Sequence, residues 1–381
     1  MPCSLCNGPT VSTVVREAVP TLQNRVFACE TDARAAKWGR LDIHACPSCG
    51  YALNTAFDPA LVEYDSCYNN DVPSRIFDEY YQEIASYLHL KYLPHGGTVL
   101  DIGCGKGKFL QVMTELFRDV KGVGIDPSCH SSNSERLTLV SGVFPHCHSG
   151  VVPDLVVCRH TLEHIPDPVS FIRAIAGALP AGTPVFFEVP DARWIVHQRA
   201  FWDWCYEHVN YFVTESATAA LSLAGVRDIS CSAAFGGQYM WVEGLVGPVE
   251  KTEFRFESRF ADEMINYASH EQEYTVTVRN QVLASKKSGN AIAVWGMATK
   301  GIEFVGLIDP DAVNVDYCVD INTAKQGKYT PLSARVIRSP DVLQQVRTPL
   351  VVIVMNPRYL DEIRAECMRM SIHAEYITFL H

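Results

Sequence analysis

The sequence predicts an α/β fold: an open, mostly parallel sheet flanked by helices, preceded by a small cysteine-bearing module and followed by a second α/β domain. Three observations predict it. Two cysteine knuckles, Cys3-x2-Cys6 and Cys46-x2-Cys49, lie near the N-terminus. From Thr98 onward short apolar runs alternate with helix-like stretches, and the first run feeds a glycine-rich turn. After a long polar stretch, a strand and glycine turn recur at Ala291. A chain of 381 residues exceeds one compact core and suggests two or three domains, and the motifs divide it into a zinc-binding module over 1–68, the main sheet over 69–250, a helical connector over 251–290 and a terminal domain over 291–381.

In each knuckle a tight turn aims two sulfurs at one point, and Gly50 eases the second turn. Cys3, Cys6, Cys46 and Cys49 are therefore the expected ligands of a tetrahedral zinc ion. The 39-residue gap between the knuckles is wider than usual ribbon spacing, and Cys29 or His44 are alternative ligands. Four protein ligands close the coordination sphere, so the expected role is to hold a core-poor segment together rather than to catalyse. The 14 cysteines are scattered over a long chain with no export-like N-terminus, which favours metal ligands and buried thiols in a cytoplasmic protein.

Ile76, Tyr80, Ile84, Tyr87 and Leu88 share one face of a helix expected between about residues 70 and 94, ended by Pro94 and Gly96-Gly97. Thr98 to Ile102 then reads as a strand running into Gly103-Cys104-Gly105-Lys106-Gly107, with a helix over Gln111 to Phe117. A second strand, Gly122 to Asp126, ends in a carboxylate about 20 residues on, where ribose hydroxyls are bound in nucleotide sites. Further strands are expected at 154–158, 184–189, 229–233 and 239–245, with helices at 169–179 and 214–224. Ligands of such sheets bind at the carboxyl ends of the strands. In the terminal part, strands are expected at 291–295, 315–320 and 351–355.

Composition narrows the partners. The formal charge of -11, with no basic run, disfavours DNA or RNA as substrate. No stretch approaches the roughly 18 apolar residues that span a bilayer, so no membrane partner is expected. A small anionic molecule remains compatible, because a few placed Lys or Arg residues hold a diphosphate even in an acidic protein.

Val99-Leu-Asp-Ile-Gly-Cys-Gly-Lys-Gly-Lys-Phe-Leu110 resembles the first motif of class I methyltransferases, which implies a Rossmann-like sheet and S-adenosylmethionine as cofactor. That resemblance sets Asp101, Gly103, Cys104 and Gly105 along the cofactor, with Asp126 accepting from its ribose and His160 nearby. Two clusters follow the strands at 154–158 and 184–189: Arg159 to Pro168, with Glu163 and His164, and Trp202 to Phe212, with Glu207 and His208. Each sets imidazole beside carboxylate, which makes a general base available near neutral pH.

Tyr206-Glu207-His208-x-x-Tyr211-Phe212, with the knuckles upstream, is similar to the sugar C-methyltransferase family, whose members methylate a carbon of a nucleotide-linked ketosugar. The resemblance implies catalytic roles for His164, Glu207 and His208 and substrate contacts at Tyr68 and Tyr211, while Cys205 stands where that family carries a tyrosine. The terminal domain also resembles that family's, as a clamp for the nucleotide end with Lys300 and the turn at Gly296 as phosphate contacts. The implied chemistry is removal of a proton next to a carbonyl by His208, oriented by Glu207, with His164 and Tyr206 supporting the enolate oxygen or relaying the proton. O-methylation by the same histidine is the alternative; an RNA methyltransferase or a non-catalytic cofactor-binding module fits the charge and the complete glycine loop less well.

Overall fold

The computed structural model describes residues 2–63, 73–147, 152–248 and 258–380. In the N-terminal module β1 (Val11–Pro20) and β2 (Trp38–Ala45) pair as a long antiparallel ribbon, with the short helix α1 (Glu30–Arg34) between them and β3 (Ala52–Asn54) against β2. Burial alternates along β2, as expected for strands with one covered face. Zinc knuckles alone suggested a core-poor segment; the ribbon instead buries Val14, Val19, Leu41 and Ile43.

The main domain begins with α2 (Arg75–Tyr92), which starts where the Ser74 hydroxyl caps Phe77 N, and buries Phe77, Tyr80, Ile84 and Leu88. There follow β4 (Gly97–Ile102), α3 (Lys108–Leu116), β5 (Val120–Asp126), β6 (Ser132–Asn133), β7 (Leu137–Ser141), β8 (Leu155–Arg159) and α4 (Pro168–Gly177). Then come β9 (Pro184–Pro190), α5 (Ala192–His197), β10 (Asn210–Tyr211), α6 (Thr214–Leu223), β11 (Val226–Ala234) and β12 (Tyr239–Val246). The sheet order is β11-β12-β9-β8-β4-β5-β7-β6, with β4, β5, β7, β8 and β9 parallel and β12 antiparallel to β9. This is the class I Rossmann-like methyltransferase sheet. Strand order reverses at β4, which has β5 on one side and β8 on the other, so the ligand crevice lies at the carboxyl ends of these strands.

Strand β10 leaves that sheet and pairs with β3, completing the sheet of the N-terminal module. A segment of the main domain is thus a structural part of the module. After α7 (Phe260–Lys287), the terminal domain runs β13 (Ala291–Trp295), α8 (Thr299–Ile308), β14 (Tyr317–Val319), β15 (Ile337–Arg338), β16 (Leu350–Val354), α9 (Leu360–Arg369) and β17 (Glu375–Ile377). Its five strands are parallel, in the order β15-β14-β13-β16-β17.

One apolar cluster unites β1 and β2, the 192–213 segment, α7 and the terminal sheet. Polar contacts fasten the same seam. Gln23 Nε2 donates to Glu303 Oε1 at 2.7 Å, Asn24 Nδ2 to Thr299 Oγ1 at 2.9 Å and the buried Lys325 Nζ to Asn24 Oδ1 at 3.0 Å. Among the described residues no helix is long and apolar enough to cross a membrane.

Candidate active site

The loop after β4 turns through Gly103, Gly105 and Gly107, with φ of 80°, 54° and 80°. Such left-handed conformations favour glycine, and at Gly103 the Thr161 hydroxyl occupies the place a Cβ would take. At Gly105 a Cβ would meet nothing within 4 Å, so the loop faces open space there. Asp126, at the end of β5, accepts from Gly105 N at 2.9 Å and from Ser128 N and Oγ at 2.7 and 2.6 Å, which fixes the loop to the second strand. Asp101 is only 3% exposed and its Oδ1 has no hydrogen-bond partner among the described residues. Burial pushes its carboxyl up to about 7, against the opposing pull of Arg159. A buried orphan acceptor beside an open glycine loop fits a cationic, hydroxyl-bearing cofactor such as S-adenosylmethionine. The Cys104 thiol turns instead toward β5, filling the space above Gly124, so that side chain supports the loop rather than lining the open side.

His160 follows β8 with φ of 49°. Its Nε2 lies 2.7 Å from Glu188 Oε1 and its Nδ1 3.7 Å from Glu163 Oε1. Burial disfavours the imidazolium, yet Glu188 and Glu163 outweigh it and raise His160 to about 9. At neutral pH it is a charged, paired residue.

The second element of the site joins two loops. Val209 N donates to Glu163 O at 2.8 Å, and Asn210 Nδ2 donates to the carbonyls of Leu162 and Ile165 at 3.0 and 2.7 Å. Tyr51, next to the second knuckle, donates to Asn210 Oδ1 in turn. This brings His164 and His208 together, edge to face, with ring centroids 4.9 Å apart. His164 Nδ1 lies 2.9 Å from the Glu207 carbonyl oxygen and 3.9 Å from Glu207 Oε2. A carbonyl only accepts, so Nδ1 carries a hydrogen. Burial, then the neighbouring His164, pushes His208 down to about 3 and keeps it neutral. Sequence reasoning set Glu207 behind His208; the structure records Glu207 against His164, and the imidazole with the depressed basicity is His208.

Other expected site residues are engaged by contacts within the protein. The Tyr206 ring lies on Gly39 and Phe57, and its hydroxyl accepts from Asp58 N at 2.8 Å, so it locks the loop to the N-terminal module rather than reaching the histidines. Tyr211 is buried, its hydroxyl accepting from Cys205 N at 3.0 Å and donating to Cys205 O at 2.8 Å, and its ring lies edge to face on His208 with centroids 6.1 Å apart, so it braces the histidine loop. The Lys300 ammonium is ion-paired with Asp203 and lies over the Trp194 ring, which fastens α8 to the main domain; a phosphate would have to displace that carboxylate. The turn at Gly296 has φ of 101° and open space where its Cβ would be. Tyr68 lies outside the described residues.

Sequence reasoning missed the charged network under the site. Glu188 in β9 is fully buried and meets Arg159 Nη2 at 2.9 Å, Trp241 Nε1 at 2.8 Å, the Tyr80 hydroxyl and His160. Burial alone would raise its carboxyl, but Arg159 and His160 hold it well below the usual range. The Arg159 guanidinium is stacked between Tyr81 and Phe109, 4.8 Å from each ring centre. A charge inside an otherwise apolar strand, as in Leu155–Arg159 and Pro184–Pro190, was the available signal, since such a charge must be paired.

The four knuckle cysteines converge. Cys3 Sγ lies 3.6 Å from Cys49 Sγ and Cys6 Sγ 3.4 Å from Cys46 Sγ, near the roughly 3.8 Å edge of a tetrahedron with zinc–sulfur bonds of about 2.3 Å. Backbone bonds from Asn7 N to Cys3 O and Gly50 N to Cys46 O close the two turns. The donor set therefore fits zinc, with Cys29 and His44 outside it.

A family model described as a methyltransferase domain matches residues 72–230, and one described as a C-methyltransferase C-terminal domain matches residues 243–379. The C-methyltransferase NovU of Streptomyces niveus is 22% identical over 364 residues, 89% of this chain and 86% of that protein. The ubiquinone biosynthesis O-methyltransferase of Bordetella avium (strain 197N) is 37% identical over 120 residues, 29% of this chain and 46% of that enzyme. The chain thus spans about half the length of that curated relative. Among solved structures, human N-acetylserotonin methyltransferase in complex with SAM aligns with a TM-score of 0.35 and 18% identity, over 45% of this chain and 55% of that one.

Proposed function

The chain belongs to the methyltransferases that join a methyltransferase domain to a C-methyltransferase C-terminal domain, and on that premise we propose that it transfers a methyl group from S-adenosylmethionine to a carbon next to a carbonyl. The observation that carries this reading is the pair of histidines and buried carboxylates brought together by the loop after β8 and the segment before β10, the former of which also packs Thr161 on Gly103 of the glycine loop. S-adenosylmethionine supplies, when bound, an electrophilic methyl group on a sulfonium. Asp101 in its ionised form holds the cationic end, and the remaining lone pairs of Asp126 accept from the ribose hydroxyls.

The base in this reading is His164 rather than His208. Its Nδ1 is anchored on Glu207, and we assign its Nε2 the proton of the carbon acid, the electron pair moving to the carbonyl oxygen. The Glu207 carboxylate stabilises the resulting imidazolium. His208, which burial keeps neutral, is suited to donate a hydrogen bond to the enolate oxygen. We place the acceptor among nucleotide-linked ketosugars, on the resemblance of the 206–212 segment and knuckles to sugar C-methyltransferases, with its nucleotide toward the terminal domain near Gly296. We assign the four cysteines a structural zinc ion and the chain to the cytoplasm.

The local likeness to O-methyltransferases supports a second reading, in which His164 deprotonates a hydroxyl. Incubation of the full chain with methyl-labelled S-adenosylmethionine and a panel of nucleotide-linked ketosugars, followed by mass spectrometry, tests both. Label retained in a ketosugar product supports the first reading; transfer only to acceptors lacking an acidic carbon favours the second.

A further inference from the structure

We propose that Glu163, His164 and His208 form a second metal site, distinct from the four-cysteine cluster, which takes a divalent cation of the zinc class and silences the base when filled. One ligand atom from each of these residues lies within 4.8 Å of the other two, a separation that modest side-chain rotation closes onto one ion with bonds of about 2.0–2.2 Å. Two imidazoles and one carboxylate suit zinc, cobalt or iron rather than magnesium, which prefers an all-oxygen shell.

An independent observation points to a cation. Glu163 is 1% exposed, and its Oε2 has no hydrogen bond among the described residues, although buried carboxylate oxygens are costly to leave without one. The hydrogen bond between His164 Nδ1 and the Glu207 carbonyl is the outer-shell support that metal-binding histidines use to present the other nitrogen. The loop contacts that bring the ligands together, Val209 N to Glu163 O and Asn210 Nδ2 to Leu162 O, are backbone-anchored, so the three side chains are placed in advance of any ion. Unlike the four thiolates, three protein ligands leave positions for water, and the ion should exchange readily.

Occupation takes the His164 Nε2 lone pair that would otherwise accept the substrate's proton. This consequence rests on the proposed base, whereas binding of the ion does not. The test is equilibrium dialysis of the full-length protein against Zn2+, with metal counted per chain and methyl transfer assayed in the same samples. We expect one tightly held equivalent and a second exchangeable one, with transfer falling roughly 100-fold as the second fills and recovering on mild chelation, the size of a lost general base. Glu163→Gln and His208→Gln should each lose the second equivalent and keep the first. If the buried Glu163→Gln variant does not fold, as circular dichroism reports, His208→Gln decides alone. A second equivalent that persists in the folded variants, or wild-type protein binding only one, overturns the site. Filling of the second site with unchanged transfer overturns its inhibitory role, and absence of transfer at low free metal counts against the methyltransferase reading instead.

Discussion

His164 and His208 touch edge to face, yet their surroundings assign them opposite characters. Glu207 backs the first, while burial strips the second of basicity. His164→Gln should therefore lower kcat by roughly 100-fold or more with S-adenosylmethionine affinity nearly unchanged, as steady-state kinetics and calorimetry would show. His208→Gln, which keeps a hydrogen-bond donor, should cost less; equal losses would mean the two act as one unit. At the cofactor loop, Asp101 titrates near 7 when free, because burial raises its carboxyl. A cationic ligand selects the ionised form, so its binding releases a proton below that pH and affinity should fall toward tenfold per pH unit from about 7 downward. Calorimetry at several pH values checks the sign, and affinity that rises on acidification would contradict the assignment. Asp126→Ala should weaken binding while the fold persists, since Ser128 and Gly105 lose one acceptor each at the surface of the loop. The chemistry-bearing types were legible from sequence because His, Glu and Asp stand out beside apolar strands. Their pairing was not, since Glu207 is adjacent in sequence to His208 but meets His164 across 43 positions.

Strands β4, β5, β8, β9 and β12 were readable because a sheet covered on both faces demands continuous apolar runs, and α2 because its buried residues repeat at helical spacing. Strand β7 was missed: Leu137–Ser141 is short, partly exposed and carries Thr and Ser, so no run announces it. The ribbon of β1 and β2 was hidden by charged residues on its open face, Glu17, Arg40 and Asp42 among them, and by Arg16, which the covered face holds against Glu271. Where β8 and β9 end, Arg159, His160 and Glu188 couple neighbouring strands through charge. Glu188→Gln leaves Arg159 buried without its counter-charge and should destabilise the fold by about 3–5 kcal/mol in denaturant unfolding. His160, raised to about 9, contributes stability that is fully present below its unfolded value near 6.5 and lost as pH rises through 9. The thermal midpoint of the wild type should accordingly decline from pH 6.5 to 9.5 more steeply than that of His160→Gln; parallel curves would show the ion pair to be silent.

At the scale of the molecule, the N-terminal module is a buttress for the candidate site, because β10 belongs to its sheet and Tyr51 holds the Asn210 that staples the two histidine-bearing loops. Composition and knuckle spacing made the module visible, but a two-residue strand donated from position 210 leaves no periodic trace. Full-length protein prepared without chelators should carry one tightly held zinc per chain, and its removal should lower both the thermal midpoint and methyl transfer. Asn210→Ala should reproduce the loss of transfer, by roughly 10-fold or more, while the zinc is retained and cofactor affinity holds, since two backbone carbonyls lose their donor. The C-terminal domain shares its apolar core with the same loop, through Phe201, Trp202 and Phe304, so all three parts converge on the segment from 201 to 213. That convergence bears on the central claim, methyl transfer to carbon. The direct measurement is nuclear magnetic resonance of the product formed from 13C-methyl S-adenosylmethionine and a nucleotide-linked ketosugar in deuterated water. The expected result is a labelled methyl bonded to carbon, together with His164-dependent exchange of the acidic hydrogen for deuterium in the unreacted sugar; a labelled methyl bonded to oxygen, with no exchange at carbon, would contradict it.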